Sequence, residues 1–169
     1  MNQDPINNIQ WKDTQDLKAN HYNPNVVMNQ ELRLLERSLM QTGWIQPILV
    51  NKNGIIIDGF HRWTLSKHSD LVRERYNGKV PCAVLDVEDW MAMLLTVRIN
   101  RAKGTHIAFK MGELVKELVT KYNVEPQQIA TEMGATMDEI ELLMKNDVFE
   151  KKKIDSWTYS KAWIPIEVK

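Results

Sequence analysis

The chain has 169 residues and balances 22 Lys and Arg against 22 Asp and Glu, which excludes strong non-specific nucleic-acid binding by its whole surface while leaving room for a local basic groove. Its hydrophobic content of 43% and charged content of 26% fit one core domain, or a small domain with an appendage. A single cysteine, Cys82, excludes an internal disulfide framework and a cysteine zinc cluster.

Residues 9–17 mix apolar and polar side chains and predict a short edge strand. His21-Tyr22-Asn23-Pro24-Asn25 reads as a turn, with Asn29 placed to cap a helix. Over residues 31–41, Leu32, Leu35 and Leu39 recur at helical spacing with Leu34 beside them, and Gly43 is a C′ stop. Gln46-Pro47-Ile48-Leu49-Val50 starts a strand, Asn53-Gly54 marks a hairpin, and Ile55-Ile56-Ile57 returns from it. A helix is predicted over 61–76, a strand over 80–87, and a helix over 88–102 with Trp90, Met93, Leu94 and Val97 on one face. Everything beyond patterns as helix: 107–122, 126–133 and 136–145, with a turn at Gly134. The tail holds Lys151, Lys152 and Lys153, then Trp157, Tyr159 and Trp163, too apolar for a free linker and expected to dock on the body or on another subunit. The polar start, Met1-Asn2-Gln3-Asp4-Pro5, lacks signal-peptide regions, and no run reaches the length of a membrane span. A cytoplasmic protein with no membrane partner is the expectation.

Asp58-Gly59-Phe60-His61-Arg62 carries the most chemistry. A β-branched strand runs into a glycine that permits a sharp turn, and a helix opens directly after it. Free amides at a helix start, with a guanidinium from Arg62, suit a phosphate. Taken alone, the same letters also read as a tight strand-to-helix connection with a surface His and Arg.

The order of these signals resembles the N-terminal domain of the ParB and sulfiredoxin-like superfamily. The resemblance runs through Asn23-Pro24-Asn25, the helix from Glu31 to Leu39, Gly43-Trp44-Ile45-Gln46-Pro47-Ile48-Leu49-Val50 and Asp58-Gly59-Phe60-His61-Arg62, over residues 9–110. It implies a nucleotide pocket in which Gly59, His61 and Arg62 contact phosphates, with Phe60 in the same turn and Gln46 and Pro47 on the border. Arg62 is expected to serve the ligand with little part in folding. Asn100-Arg101-Ala102-Lys103-Gly104-Thr105-His106 resembles the segment through which such domains complete the site, with Asn100 and Arg101 as the residues concerned. It reads equally as a solvated helix end whose basic residues complement the dipole.

The departures also inform. Sulfiredoxins carry a reactive cysteine in the glycine turn, where this chain has Phe60. Cys82 sits among apolar strand residues, so sulfinic-acid reductase chemistry is disfavoured. Partition proteins of the ParB type have Glu-Arg-Arg after the glycine. Phe-His-Arg is nearer the sulfiredoxin and free-serine-kinase branches and small phage or mobile-element ParB-like proteins. Glu31, Glu36 and Asp58 are the carboxylates available for Mg²⁺ or for general-base work, with Asp58 and Glu36 as the catalytic candidates. The four histidines show no spacing that demands zinc, and no resident metal site is expected.

Residues 126–145 fit a helix-turn-helix, with Ala130, Gly134, Ile140 and Leu143 at its contact, turn and core positions. Its second helix carries Asp138, Glu139 and Glu141, which face phosphates badly. The expectation is thus an α+β ParB/sulfiredoxin-like domain over 1–106, a helix-turn-helix-like region over 107–147 and an aromatic tail over 148–169. Its function would be to bind a nucleoside triphosphate with Mg²⁺, with or without hydrolysis. The alternatives are a phosphotransferase on a small hydroxylated substrate and a DNA-binding partition adaptor, with DNA, a protein partner or a second copy as partners.

Overall fold

Four short strands make one mixed sheet in the computed structural model, which describes residues 4–21, 29–102 and 108–145. In sequence they are β1 (Ile9–Asp13), β2 (Ile48–Asn51), β3 (Ile56–Asp58) and β4 (Lys79–Leu85). The spatial order is β1-β4-β2-β3. β1 runs antiparallel to β4, from Ile9 opposite Ala83 to Asp13 opposite Lys79. β2 runs parallel to β4, from Ile48 opposite Cys82 to Asn51 opposite Leu85, and forms a hairpin with β3. The hairpin needs its glycine: Gly54 has φ +77°, and a Cβ there would lie 2.8 Å from the Asp16 carbonyl oxygen.

The helices are α1 (Asn29–Thr42), α2 (Phe60–His68), α3 (Asp70–Tyr76), α4 (Asp89–Ala102), α5 (Ala108–Thr120), α6 (Pro126–Met133) and α7 (Met137–Met144). Gly43 follows α1 in the left-handed region and donates its N–H to the Leu39 carbonyl, the stop that its position predicts. The helix expected over 61–76 is two helices. Ser69 adopts an extended conformation between them and caps α3 by accepting the Val72 N–H. A serine followed by an aspartate favours a new helix start over continuation of the old one.

Three apolar clusters form among the described residues. Ile48, Val50, Ile56, Val80 and Cys82 from the sheet enclose Trp63 of α2. Leu39, Leu65 and Val72 join α1, α2 and α3. Met93, Leu94 and Val97 of α4 pack with Leu114, Val115 and Leu118 of α5, Ile129 of α6, and Ile140 and Leu143 of α7. α4 is also tied to the sheet, because Thr96 donates its hydroxyl to the Ile57 carbonyl at 3.2 Å. The helical region beyond residue 107 therefore packs on a helix anchored to the sheet. No described helix is long and apolar enough to cross a membrane. The turn expected at Asn23-Pro24-Asn25, the segment 103–107 and the tail lie outside the described residues.

Candidate functional site

β3 buries Ile56 and Ile57 and so delivers Asp58 to the edge of the core, where Gly59 turns the chain. Gly59 has φ +95° and caps α2 without a side chain. A Cβ added there would lie 3.3 Å from the Ile48 Cα and 3.2 Å from Arg62 Nη2, so both the conformation and the space require glycine. The first hydrogen bond of α2 runs from the Trp63 N–H to the Gly59 carbonyl at 3.0 Å. The amides of Phe60, His61 and Arg62 precede it, and a helix start of this kind attracts anions. His61 is half-buried on the same turn, and its Nε2 is shut off from solvent without a hydrogen-bond partner. Thr64, three residues on, leaves its Oγ1 in the same condition.

Arg62 does something that its sequence position did not indicate. One terminal nitrogen, Nη1, donates to the carbonyls of both Gln46 and Pro47, at 2.6 and 2.9 Å. The other, Nη2, lies 3.4 Å from the Asp58 carboxylate. Burial pulls the pKa of this guanidinium below its ordinary value, and the Asp58 charge opposes that shift. Arg62 thus clasps the entry of β2 to the turn after β3. The expectation that it has little part in folding is corrected here, because two charge-assisted bonds to backbone are structural work.

Beside Arg62 lies a cleft of about 130 Å³, walled by Leu35, Ser38 and Leu39 of α1 and by the loop from Gly43 to Gln46. Ile45, at its rim, is 77% exposed. Gln46, Pro47, Asp58, Gly59 and Arg62 therefore meet at one place. Phe60 turns inward, with its ring centroid 5.5 Å from that of Trp63. Asn100 is buried on α4, and the side chain of Arg101 lies outside the description, as does that of Glu31. Glu36 accepts the Ser69 hydroxyl, joining α1 to α3, and is not part of the cleft wall. No group of three His, Cys, Asp or Glu among the described residues could hold a metal ion. Cys82 is fully buried, and burial pushes its thiol up to about 11, the opposite of what a nucleophile needs.

Sequence reasoning missed Ser38 and Leu35 as cleft walls and Thr64 as a companion of His61. Helical spacing held both signals: 35, 38 and 39 share one face of α1, and 61 and 64 share one face of α2.

The family profile described as the ParB N-terminal domain matches residues 2–98. The chain is 33% identical over 165 residues to the uncharacterized protein YbdM of Escherichia coli (strain K12), covering 95% of this chain and 78% of YbdM. It is 28% identical over 135 residues to the probable chromosome-partitioning protein ParB of Vibrio cholerae, covering 77% of this chain and 44% of that protein. Among solved structures it resembles the C-terminally truncated chromosome-partitioning protein ParB of Caulobacter crescentus complexed to the centromeric parS site. The TM-score is 0.53 at 19% identity, over 88% of this chain and 80% of that one. At that identity the likeness shows the fold alone.

Proposed function

The chain belongs to the ParB N-terminal domain family, and on that premise we propose that it is a ParB-like nucleotide-binding protein, holding a nucleoside triphosphate with Mg²⁺ between the α2 turn and the adjoining cleft. The observation that carries this reading is the set of unpartnered groups at one turn. Three amides precede the first helical bond, and on the same helix the His61 Nε2 and Thr64 Oγ1 lack partners. Phosphate oxygens are the acceptors that such donors need. Gly59 keeps the approach open, and His61 supplies a further donor when its Nε2 is protonated. Arg62 fixes the carbonyls of Gln46 and Pro47, which border the space left for base or ribose. Asn100 and Arg101 complete the site in this reading.

Mg²⁺ keeps much of its water and takes phosphate oxygens with one or two carboxylates. The fit here is to an ion brought by the nucleotide, with Asp58 as the carboxylate at the turn. Asp58 is paired with Arg62 and Glu36 with Ser69, so neither stands as a ready general base. A bound nucleotide that is held rather than rapidly turned over is the form this geometry favours. The division at residues 106 and 147, a cytoplasmic location and assembly of more than one copy belong to the same proposal. The ParB of Caulobacter crescentus was solved on parS DNA, but the acidic first turn of α7 does not favour that partner for this chain.

A thermal-shift panel of the four common nucleoside triphosphates, with and without Mg²⁺, tests the reading. A ligand at a hundred times its Kd adds about 2.7 kcal/mol of apparent stability, a shift of several degrees. His61→Ala should reduce the shift, and Gly59→Ala should remove it. No shift with any nucleotide, or a full shift in His61→Ala, sinks the assignment.

A further inference from the structure

A second cavity, of about 230 Å³, opens where the sheet meets the helical region and shares no lining residue with the cleft beside Arg62. Its walls come from residues 18–21 after β1, Ile55 just before β3, the first turns of α4, and Lys121 and Tyr122 just after α5. Lys18 is fixed at its root: its N–H donates to the Gly54 carbonyl at 2.9 Å, and its own carbonyl accepts the Ile56 N–H at 3.0 Å. Its ammonium has no ion pair or hydrogen bond among the described residues. Lys121, by contrast, is held by Glu117 at 2.8 Å, and His21 meets the same carboxylate at 2.6 Å.

Two residues with a free acceptor share the lining with Lys18. Asn20 is only 7% exposed; its Nδ2 donates to the Ile56 carbonyl at 2.5 Å, while its Oδ1 is buried and accepts nothing. Asp89 receives Asn51 and Asn53 on its Oδ1, at 2.8 and 2.9 Å, which leaves Oδ2 uncommitted among the described residues. A simple anion would satisfy Lys18 and be repelled by Asp89, and a simple cation would do the reverse. Only a molecule with both charges, and a donor for Asn20, answers all three groups. The volume is below the roughly 300–1,000 Å³ of pockets for drug-sized ligands, so that molecule is small.

We propose that this cavity binds a free α-amino acid as its zwitterion, with the carboxylate on Lys18 and the ammonium shared by Asp89 Oδ2 and Asn20 Oδ1. The site is independent of the nucleotide reading and is tested without nucleotide. Isothermal titration of the whole chain against the common amino acids, with propionate and ethylamine as half-ligands, decides it. One or more amino acids should saturate below about 10 mM, and each half-ligand should bind at least about tenfold more weakly, the worth of one charge-assisted hydrogen bond. Lys18→Ala, at an exposed side chain that folding does not use, should weaken binding by about the same factor. Asp89→Asn, which keeps the acceptor for Asn51 and Asn53, should do likewise. No saturation by any amino acid, equal binding of propionate, or unchanged affinity in Lys18→Ala overturns the proposal.

Discussion

Arg62 shows how one side chain sets the shape of a site from beneath it. Its side chain is 15% exposed and spans two consecutive carbonyls, so Arg62→Ala removes one contact each from Gln46, Pro47 and Asp58 together. The expected cost is about 1.5–3 kcal/mol, the usual range for hydrogen bonds to a charged group, read as a lower urea midpoint. Arg62→Lys should recover only part of it, because a point charge cannot reproduce the planar fork. A midpoint equal to wild type would contradict the clasp. Cys82 makes the second residue-scale case, where burial raises the folded pKa to about 11 from an ordinary 9.0. A raised pKa favours the neutral thiol in the folded state. Its contribution is whole below the ordinary value and is lost as pH rises through about 11. Aromatic disulfide reagents at about pH 8 should leave the native thiol untouched and label it promptly in urea. Fast native labelling would place the thiol outside the sheet core.

Two helix starts invite comparison, since each is capped by one hydroxyl. Ser69 caps α3 by accepting the Val72 N–H at 3.3 Å and also donates to Glu36 on α1. Thr136 caps α7 by accepting the Glu139 N–H at 3.2 Å. Loss of a cap costs about 1 kcal/mol, so Thr136→Ala should cost that and Ser69→Ala distinctly more, because a bond between elements goes with it. Equal losses in denaturant melts would mean that the Glu36 contact contributes nothing. α7 bears a further consequence. Asp138 and Glu139 lie in its first turn and Glu141 follows, while Arg98 of α4 is held by Glu132 of α6. In polarisation titrations at physiological salt, duplex DNA should bind weakly and without sequence preference. Tight, sequence-dependent binding lost on changing Thr136 or Met137 would overturn this.

At the scale of the whole molecule, α4 decides cooperativity. Leu94 is fully buried in the cluster that joins α4 to α5, α6 and α7, while Thr96 two residues on bonds the sheet. The sheet and the helical region should therefore unfold in one transition, with circular dichroism and hydrogen exchange reporting the same midpoint. Leu94→Ala should lower that midpoint by about 2–5 kcal/mol, the range for a buried Leu reduced to Ala. Separate transitions for the two regions would show that α4 does not couple them.

Local chemistry was legible without the fold. Apolar spacing marked α1, α4 and α5–α7, Asn53-Gly54 marked the hairpin, and the glycine at 59 marked the turn, because periodicity and left-handed φ are written over a few neighbouring residues. The same spacing hid the break at Ser69, where the helical pattern continues but the hydroxyl finds a partner 33 residues away. What the fold alone decided are the partnerships across distance. Arg62 reaches carbonyls 15 and 16 residues back, and α4 joins the helical cluster while bonded to β3. Lys18 and Asn20 meet Asp89, about seventy residues on, at one cavity. Pattern fixes which face of an element is buried, but only the packing of elements fixes which polar group that burial leaves without a partner, and binding starts from such groups.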